Sequence, residues 1–473
     1  MSYKKSLFIF HRSLRLDDNL GLIQALKDSE YVIPIFIFTP EQVTSQNKYK
    51  SDSAIMFMIQ SLIDLGLELK KHKSKLFTFY GSQHMILDKI LKADTDIEAV
   101  YCNTDYTPYA VNREEQLQKT TEDLDREFIS VEDYLLHPVD TIKTGSGTFY
   151  SVFTPFYRTA VKLNVDKPKM LKTFNFITSK YHIRNEMKID QILKKHIDID
   201  IVDLYDFIPS REEALHRIEL IKYQKKYADD RNSLYLETTK LSPYIKFGLV
   251  SIREVYHKIL KLYGKAHDLI KQLYWREFYY CLSYNRPDIL KDGTSFRESY
   301  DKINWYDSAN DKKLLKLWKQ GLTGYPVIDA GIRELNLTGY MHNRTRLITS
   351  NFLVKHLFID WREGEKYFAC KLIDYDPNVN NGNWQFTSGS GADSQPYFRM
   401  MNPWLQQQTH DQMCTYIKTW IPELADVPPD DIHNWQETSE QWIKNGIKYP
   451  APCKKYEFNT LKKESKKVYS KAF

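Results

Sequence analysis

Apolar runs of strand length alternate with amphipathic segments through residues 1–133. Ser6–Phe10, Val32–Phe38, Lys75–Tyr80 and Glu98–Asn103 are nearly unbroken in hydrophobicity, the pattern of parallel strands covered on both faces. Phe128–Val131 reads as a fifth strand. Between the strands lie helical patterns such as Ala54–Leu65. This alternation predicts a doubly wound α/β domain on a parallel sheet. From 134 to 209 the periodicity weakens, Thr144-Gly-Ser-Gly-Thr148 reads as a turn, and Lys-rich and Asp-rich stretches follow, predicting a long interdomain linker. From 210 to 473 only helical periodicity persists. Ser251-Ile-Arg-Glu254 has the form of a capping box, and Lys265–Tyr284 and Thr338–Phe358 are expected as long amphipathic helices. The expected fold class is α/β plus all-α: domain 1–133, linker 134–209, helical domain 210–473.

Composition narrows the class. A chain of 473 residues with 42% hydrophobic content can build two or three domains. No run of about 18 apolar residues exists to cross a membrane, and the N-terminus lacks the apolar core of a signal peptide. The five cysteines (102, 281, 370, 414, 453) lack CxxC spacing, which argues against a disulfide framework and against a zinc site. These features predict a soluble intracellular protein, cytoplasmic or nuclear, with no metal. Net charge is +6, yet residues 454–473 hold seven lysines and two glutamates, +5 of that total. The rest is nearly neutral, so binding to nucleic acid would need a local basic face. The lysine tail itself is expected as a solvated terminus.

Residues 372–386 carry Asp374, Asp376, Asn378, Asn380, Asn381, Asn383 and Gln385 around Trp384 and Phe386, and continue to Gln395–Arg399. Amides interleaved with large aromatics suggest a loop wrapped around a flat ligand with polar edges, because buried polar groups need partners. An ordinary Asn/Gly-rich connection fits the composition as well. Thr238-Thr-Lys-Leu-Ser242 offers hydroxyls at a helix entrance, suited to an anion or to a plain cap. Gln272, Trp275, Arg276 and Tyr279 share one helical face, as do Asn343 and Leu347.

Together with Phe10–Asn19, Trp275–Phe278, Thr323–Pro326, Gly339–Arg344 and Asp360–Gly364, this stretch resembles the DNA photolyase/cryptochrome family, most closely its class I cyclobutane pyrimidine dimer photolyases. The resemblance runs from the first strand to near Trp435. It implies a helical domain binding FAD, active as reduced FADH⁻, through Tyr227, Thr238, Thr239, Lys240, Leu241, Ser242, Arg276, Arg346, Asp374, Tyr375, Asp376 and Asn380. Arg346 would pair with Asp374, and Asn380 would face flavin N5. Trp305, Trp361 and Trp384 would form the electron relay. Damaged DNA would meet Gln272, Trp275, Tyr279, Asn343, Arg344, Leu347, Phe386, Arg399 and Gln406, with Gln272, Asn343 and Asn380 in catalytic positions. Asp105 and Tyr109 would line a second, antenna chromophore, a deazaflavin or a folate. A monomer is expected.

Two positions depart from cyclobutane-dimer photolyases. Gln272 stands where those enzymes carry a carboxylate, as in (6-4) photolyases, and Phe386 replaces a tryptophan. Against a (6-4) reading, Asn343 occupies the position of that group's catalytic histidine. Asn380 favours repair over signalling, since plant cryptochromes resemble one another in placing Asp there and animal ones Cys; the short tail agrees. The expected function is light-driven repair of cyclobutane dimers. A (6-4) photolyase and a cryptochrome photoreceptor are the alternatives.

Overall fold

The computed structural model describes residues 3–199, 204–205, 207–393, 399–453 and 458–472. They form two compact units, Met1–Lys225 with Thr239–Pro287, and Lys226–Thr238 with Asp288–Phe473.

The first unit is built on a parallel sheet of five strands in the order β3-β2-β1-β4-β5: β1 Tyr3–Phe10, β2 Ser29–Phe38, β3 Phe77–Tyr80, β4 Ile97–Asn103 and β5 Glu127–Val131. All five expected strands are present. β1 lies at the centre, where both faces are covered, and Ser6 to Phe10 are accordingly buried. The order reverses between β1 and β4, so the loops after them, with Arg12 and Asp105, flank the topological switch point where such sheets bind ligands. The Phe10–Asn19 motif serves architecture here. Arg15 and Arg253 converge on Asp133 at 2.8 and 2.7 Å, and Arg253 also bonds Asp18 at 2.9 Å. Burial works against the Asp133 charge, but the two guanidiniums overcome it and hold its carboxyl below the usual range. The segment expected as a linker lies within this unit. It carries helices Phe153–Ala160 and Ile189–His196, buries Phe153 and Phe156, and pairs Phe176 with Val32 through the backbone.

The second unit packs helices Ala309–Gln320, Pro326–Thr338, Asn343–Lys355, Trp361–Ala369 and Pro377–Ser388 around a core containing Trp318, Ile328, Phe352, Trp361 and Trp384. Three sequence expectations change. The long helix Thr338–Phe358 is two elements: Gly339, at φ 68°, caps the helix ending at Thr338, and His342 caps a new helix at Asn343. The stretch expected as a polar loop is largely the Pro377–Ser388 helix. Asp376 caps it by accepting from the Asn378 and Val379 amides, Pro377 opens it, and Gly389 at φ 93° closes it. The lysine tail is not simply a solvated terminus: Phe458–Tyr469 is helical, with Leu461, Val468 and Tyr469 buried against Tyr300 and Phe358. Its apolar residues recur on one face, and that face needs cover. Residues 395–398 of the motif stretch and 454–457 of the tail lie outside the described residues. Among the described residues no helix is long and apolar enough to cross a membrane.

Candidate functional site

In the second unit the Pro377–Ser388 helix organises the polar residues. Its cap, Asp376, is buried, and Asp376 Oδ1 also accepts from Asn378 Nδ2 at 3.2 Å. One turn on, half-buried Asn380 donates through Nδ2 to Glu365 Oε1 at 2.9 Å and to the Glu365 carbonyl at 3.1 Å. Glu365 is 6% exposed, and burial pushes its carboxyl up to about 7. Arg346 spans Asp374 with two bonds, Nη1–Oδ1 3.1 Å and Nη2–Oδ2 2.9 Å. Burial opposes the Arg346 charge, and the Asp374 carboxylate overcomes it. The guanidinium also lies 5.3 Å from the Tyr340 ring, whose phenol is bonded to Thr238. Half-buried Tyr227 opens a one-turn helix, and Tyr375 packs against the main core.

Trp361 and Trp384 are each 2% exposed in that core, and partly buried Trp305 packs against it from outside. Trp384 sits edge-on to Phe368 at 4.9 Å. A Cβ on Gly364 would come within 2.1 Å of Trp384 Cη2, so the glycine of Asp360–Gly364 is what lets the indole seat.

Asn343 is exposed at the start of its helix, Leu347 half-buried one turn later, and Phe386 half-buried on the Pro377–Ser388 helix. The buried His342 side chain caps the helix by accepting from the Arg344 amide at 3.1 Å. Arg344 bonds Asn232 through Nη2, and among the described residues its buried Nε, like that of Arg231, has no hydrogen-bond partner. Burial and the Arg231 charge both lower its pKa. Burial, with Arg344 nearby, also pushes His410 down to about 4. The two arginines form a concentration of cationic donors with unmet hydrogen bonds, as expected where anionic oxygens bind. Gln406 is half-buried, and its Oε1 also finds no partner among the described residues. Arg399 is exposed.

In the first unit, half-buried Gln272 and buried Tyr279 share the Asp268–Asn285 helix. Trp275 is stacked on Phe153 at 3.6 Å and 6°, so one indole face is already covered. Arg276 donates to the Tyr134 carbonyl at 2.8 Å and Glu277 at 3.1 Å, and lies 4.8 Å from the Tyr280 ring. Those contacts tie its charge to its own unit. Of Thr239–Ser242, Lys240 takes a left-handed φ of 47°, Leu241 is buried, and Ser242 starts a one-turn helix. Asp105 faces Arg12 at 3.5 Å and lines a cavity of about 440 Å³ with Tyr106, Glu114, Phe128, Glu132 and Tyr284. Tyr109 does not line it; its exposed hydroxyl meets Thr39 at 3.2 Å.

Sequence reasoning missed Glu365, Arg231 and Asn232. Glu365 lies just past the Asp360–Gly364 motif. For Arg231 and Asn232 no local pattern marks the role, which comes only from packing against Arg344. The donor set fits a reduced flavin. The ring edge of such a flavin presents an N–H donor and carbonyl acceptors. Asn380, with Nδ2 tied to Glu365, has Oδ1 left to accept, and Arg346 and the Thr238 hydroxyl supply donors.

Family models match two regions: DNA photolyase over residues 6–172, and the FAD binding domain of DNA photolyase over residues 269–470. A deoxyribodipyrimidine photo-lyase of Alkalihalophilus pseudofirmus is 34% identical over 463 residues, covering 94% of this chain and 93% of that protein. The crystal structure of an archaeal photolyase from Sulfolobus tokodaii, with two FAD molecules, superposes with a TM-score of 0.83 at 36% identity over 98% of this chain and 99% of the other. A bacterial class III photolyase from Agrobacterium tumefaciens gives 0.88 at 29% identity over 100% and 98%.

Proposed function

The chain belongs to the DNA photolyase family and is a light-driven, FAD-dependent DNA repair enzyme, and we propose that the lesion it reverses is the cyclobutane pyrimidine dimer. Bound reduced FAD supplies, on excitation, the electron that splits the dimer. The protein holds its reactants and keeps competing chemistry out. The observation that carries the choice of lesion is the start of the Asn343–Lys355 helix. Asn343 is exposed where a (6-4) enzyme needs a proton-donating histidine, and the adjacent His342 is turned inward as the helix cap. Dimer splitting returns the electron and needs no such donor.

In the second unit Arg346 with Asp374, the Asp376 cap, Tyr227 and the Thr238 hydroxyl hold the cofactor, and Asn380 offers a neutral acceptor to the reduced ring. Arg344, with Arg231 and His410 beside it, grips the phosphates of a kinked strand, and Arg399 adds a second contact. Leu347 and Phe386 in the second unit are read as contacts for the flipped pyrimidines, and the family resemblance gives Gln272 and Trp275 in the first unit the same role. Trp384, Trp361 and Trp305 load electrons onto the cofactor and lie off the repair path. A second chromophore, deazaflavin or folate, would be held in the cavity at Asp105. The carboxylates there favour a ring presenting N–H donors over a phosphate group. The test is illumination of the reduced protein with oligonucleotides carrying one defined lesion each. Chromatography should show dimer splitting and unchanged (6-4) product; the reverse would overturn the assignment.

A further inference from the structure

Phe153 opens the Phe153–Ala160 helix and is 2% exposed. Phe153, Phe156 and Tyr157 stand at i, i+3 and i+4, so their rings share one face of that helix. That face meets Tyr274, Trp275 and Phe278 on the Asp268–Asn285 helix of the same unit. One contact differs from its neighbours. Phe153 and half-buried Trp275 lie flat on each other, with centroids 3.6 Å and planes 6° apart. Neighbouring pairs are edge-on or more widely spaced: Phe153–Phe278 5.7 Å at 78°, Trp275–Phe278 5.8 Å at 82°, Phe153–Tyr157 5.8 Å at 16°. At 3.6 Å the two rings overlap almost fully, an arrangement that isolated aromatic pairs avoid, so the packing around them imposes it. The Phe153 ring thus fixes the plane of the indole, and Phe278 fixes its edge. A base stacking on Trp275 must take the face opposite Phe153.

We propose that Phe153 is a positioning residue for lesion recognition, backing the Trp275 indole and holding it as a fixed platform for the dimer. This rests on the reading of Trp275 as a lesion contact. A cyclobutane dimer joins two pyrimidines covalently, so the angle between them is set and neither base can follow a wall that tilts. An indole free to rotate would lose stacking area against so rigid a partner and would have to be ordered on binding. An indole held flat in the free protein is ordered already. Undamaged duplex presents no flipped base and is held through its phosphates. Removing the backing ring should therefore weaken dimer binding and spare binding to undamaged DNA. Trp275 touches the base and takes no part in breaking the ring bonds, so the effect falls on KM rather than on kcat.

The test compares leucine variants of the FAD-loaded protein. Binding is titrated in the dark with an oligonucleotide carrying one dimer and with its undamaged twin; repair by the reduced enzyme is followed under constant illumination. Phe153→Leu keeps apolar bulk and removes the ring face. It should raise the dimer Kd and the KM by roughly 3- to 10-fold and leave the undamaged Kd and kcat unchanged. Phe156→Leu is the control for packing alone, since Phe156 is fully buried and meets Phe278 at 5.4 Å. It should lower the urea midpoint with the dimer preference intact. An unchanged preference in Phe153→Leu, or an equal loss in Phe156→Leu, would reduce Phe153 to core packing and overturn the proposal. Trp275→Leu separates the two readings. If it leaves the preference unchanged, Trp275 is no lesion contact and the premise fails; if it lowers the preference while Phe153→Leu does not, only the backing role fails. Added to Trp275→Leu, Phe153→Leu should cost no further preference, because the ring it backs is gone; full additivity would overturn the coupling.

Discussion

Replacing Glu365 by glutamine should stabilise the protein increasingly as pH rises from about 4.5 to about 7. Among the described residues Glu365 has no cationic partner, and the Asn380 amide at 2.9 Å only partly offsets its burial, so its carboxyl titrates near 7 in the folded chain against 4.5 when unfolded. Within that window the folded state holds a proton that the unfolded state has released. Wild-type stability therefore falls as pH rises through the window and levels off above it. Going from 4.5 to about 7, at 1.36 kcal/mol for each tenfold, amounts to about 3 kcal/mol at the upper limit. Glutamine keeps an Oε1 acceptor for Asn380 and carries no charge. The assay is urea unfolding of both proteins at a fixed excess of FAD, from about pH 5 to about pH 8. Burial raises Glu277 to about 7 and Asp329 to about 6 as well, but those contributions cancel in the difference between wild type and variant. A difference that stays constant across the window would refute the reasoning, because it would mean that the Glu365 carboxylate is ionised in the folded protein.

Four further outcomes are expected. Gly364→Ala places a Cβ 2.1 Å from Trp384 and 2.6 Å from Leu353; it should cost about 1–3 kcal/mol in urea unfolding and slow flavin photoreduction, and an unchanged midpoint would mean that the indole has room. Asp376→Ala removes the cap bonds to Asn378 and Val379, so it should lose about 1 kcal/mol of stability and retain FAD poorly in gel filtration. Trp361→Phe should slow photoreduction while sparing repair by enzyme reduced beforehand; equal loss in both assays would place Trp361 outside the relay. Arg344→Ala should lower the log–log salt slope for dimer-containing DNA by about 1, measured by titration at several salt concentrations.

The glycine and charge positions of the motifs acquire different meanings in three dimensions. Arg15 and Asp18 of the first motif hold the Ile252–Tyr263 helix to the sheet through Arg253 and Asp133. Gly364 makes room for an indole, and His342 opens a helix. Such residues support the chemistry without touching it, which is why a run of polar letters does not by itself mark a binding site.

What could be read from the sequence alone was local and periodic. Four of the five strands are legible because a strand buried on both faces must be apolar along its whole length; the edge strand Glu127–Val131 is only half-buried to exposed and shows through its β-branched and aromatic residues. The helical second half is legible from its 3.6-residue spacing, and the Ser251 capping box from four consecutive residues, both of whose hydrogen bonds are present. Propensity misled at Pro377–Ser388: asparagine and glycine disfavour helix by only about 0.7–1 kcal/mol each, and the Asp376 cap with Trp384 in the core outweighs that. The break at Gly339 and the docking of Tyr469 were hidden for a related reason, since each depends on what the chain meets rather than on its own letters. Burial decides the chemistry of Glu365, yet no sequence neighbour announces it. Asn380 meets Glu365 fifteen positions away, Arg344 meets Asn232 at 112, and Lys355 meets Tyr469 at 114. Periodicity carries information over a few turns of chain. Which polar groups are shut away together, and so which protons and charges become negotiable, is set by packing between segments that the sequence keeps far apart.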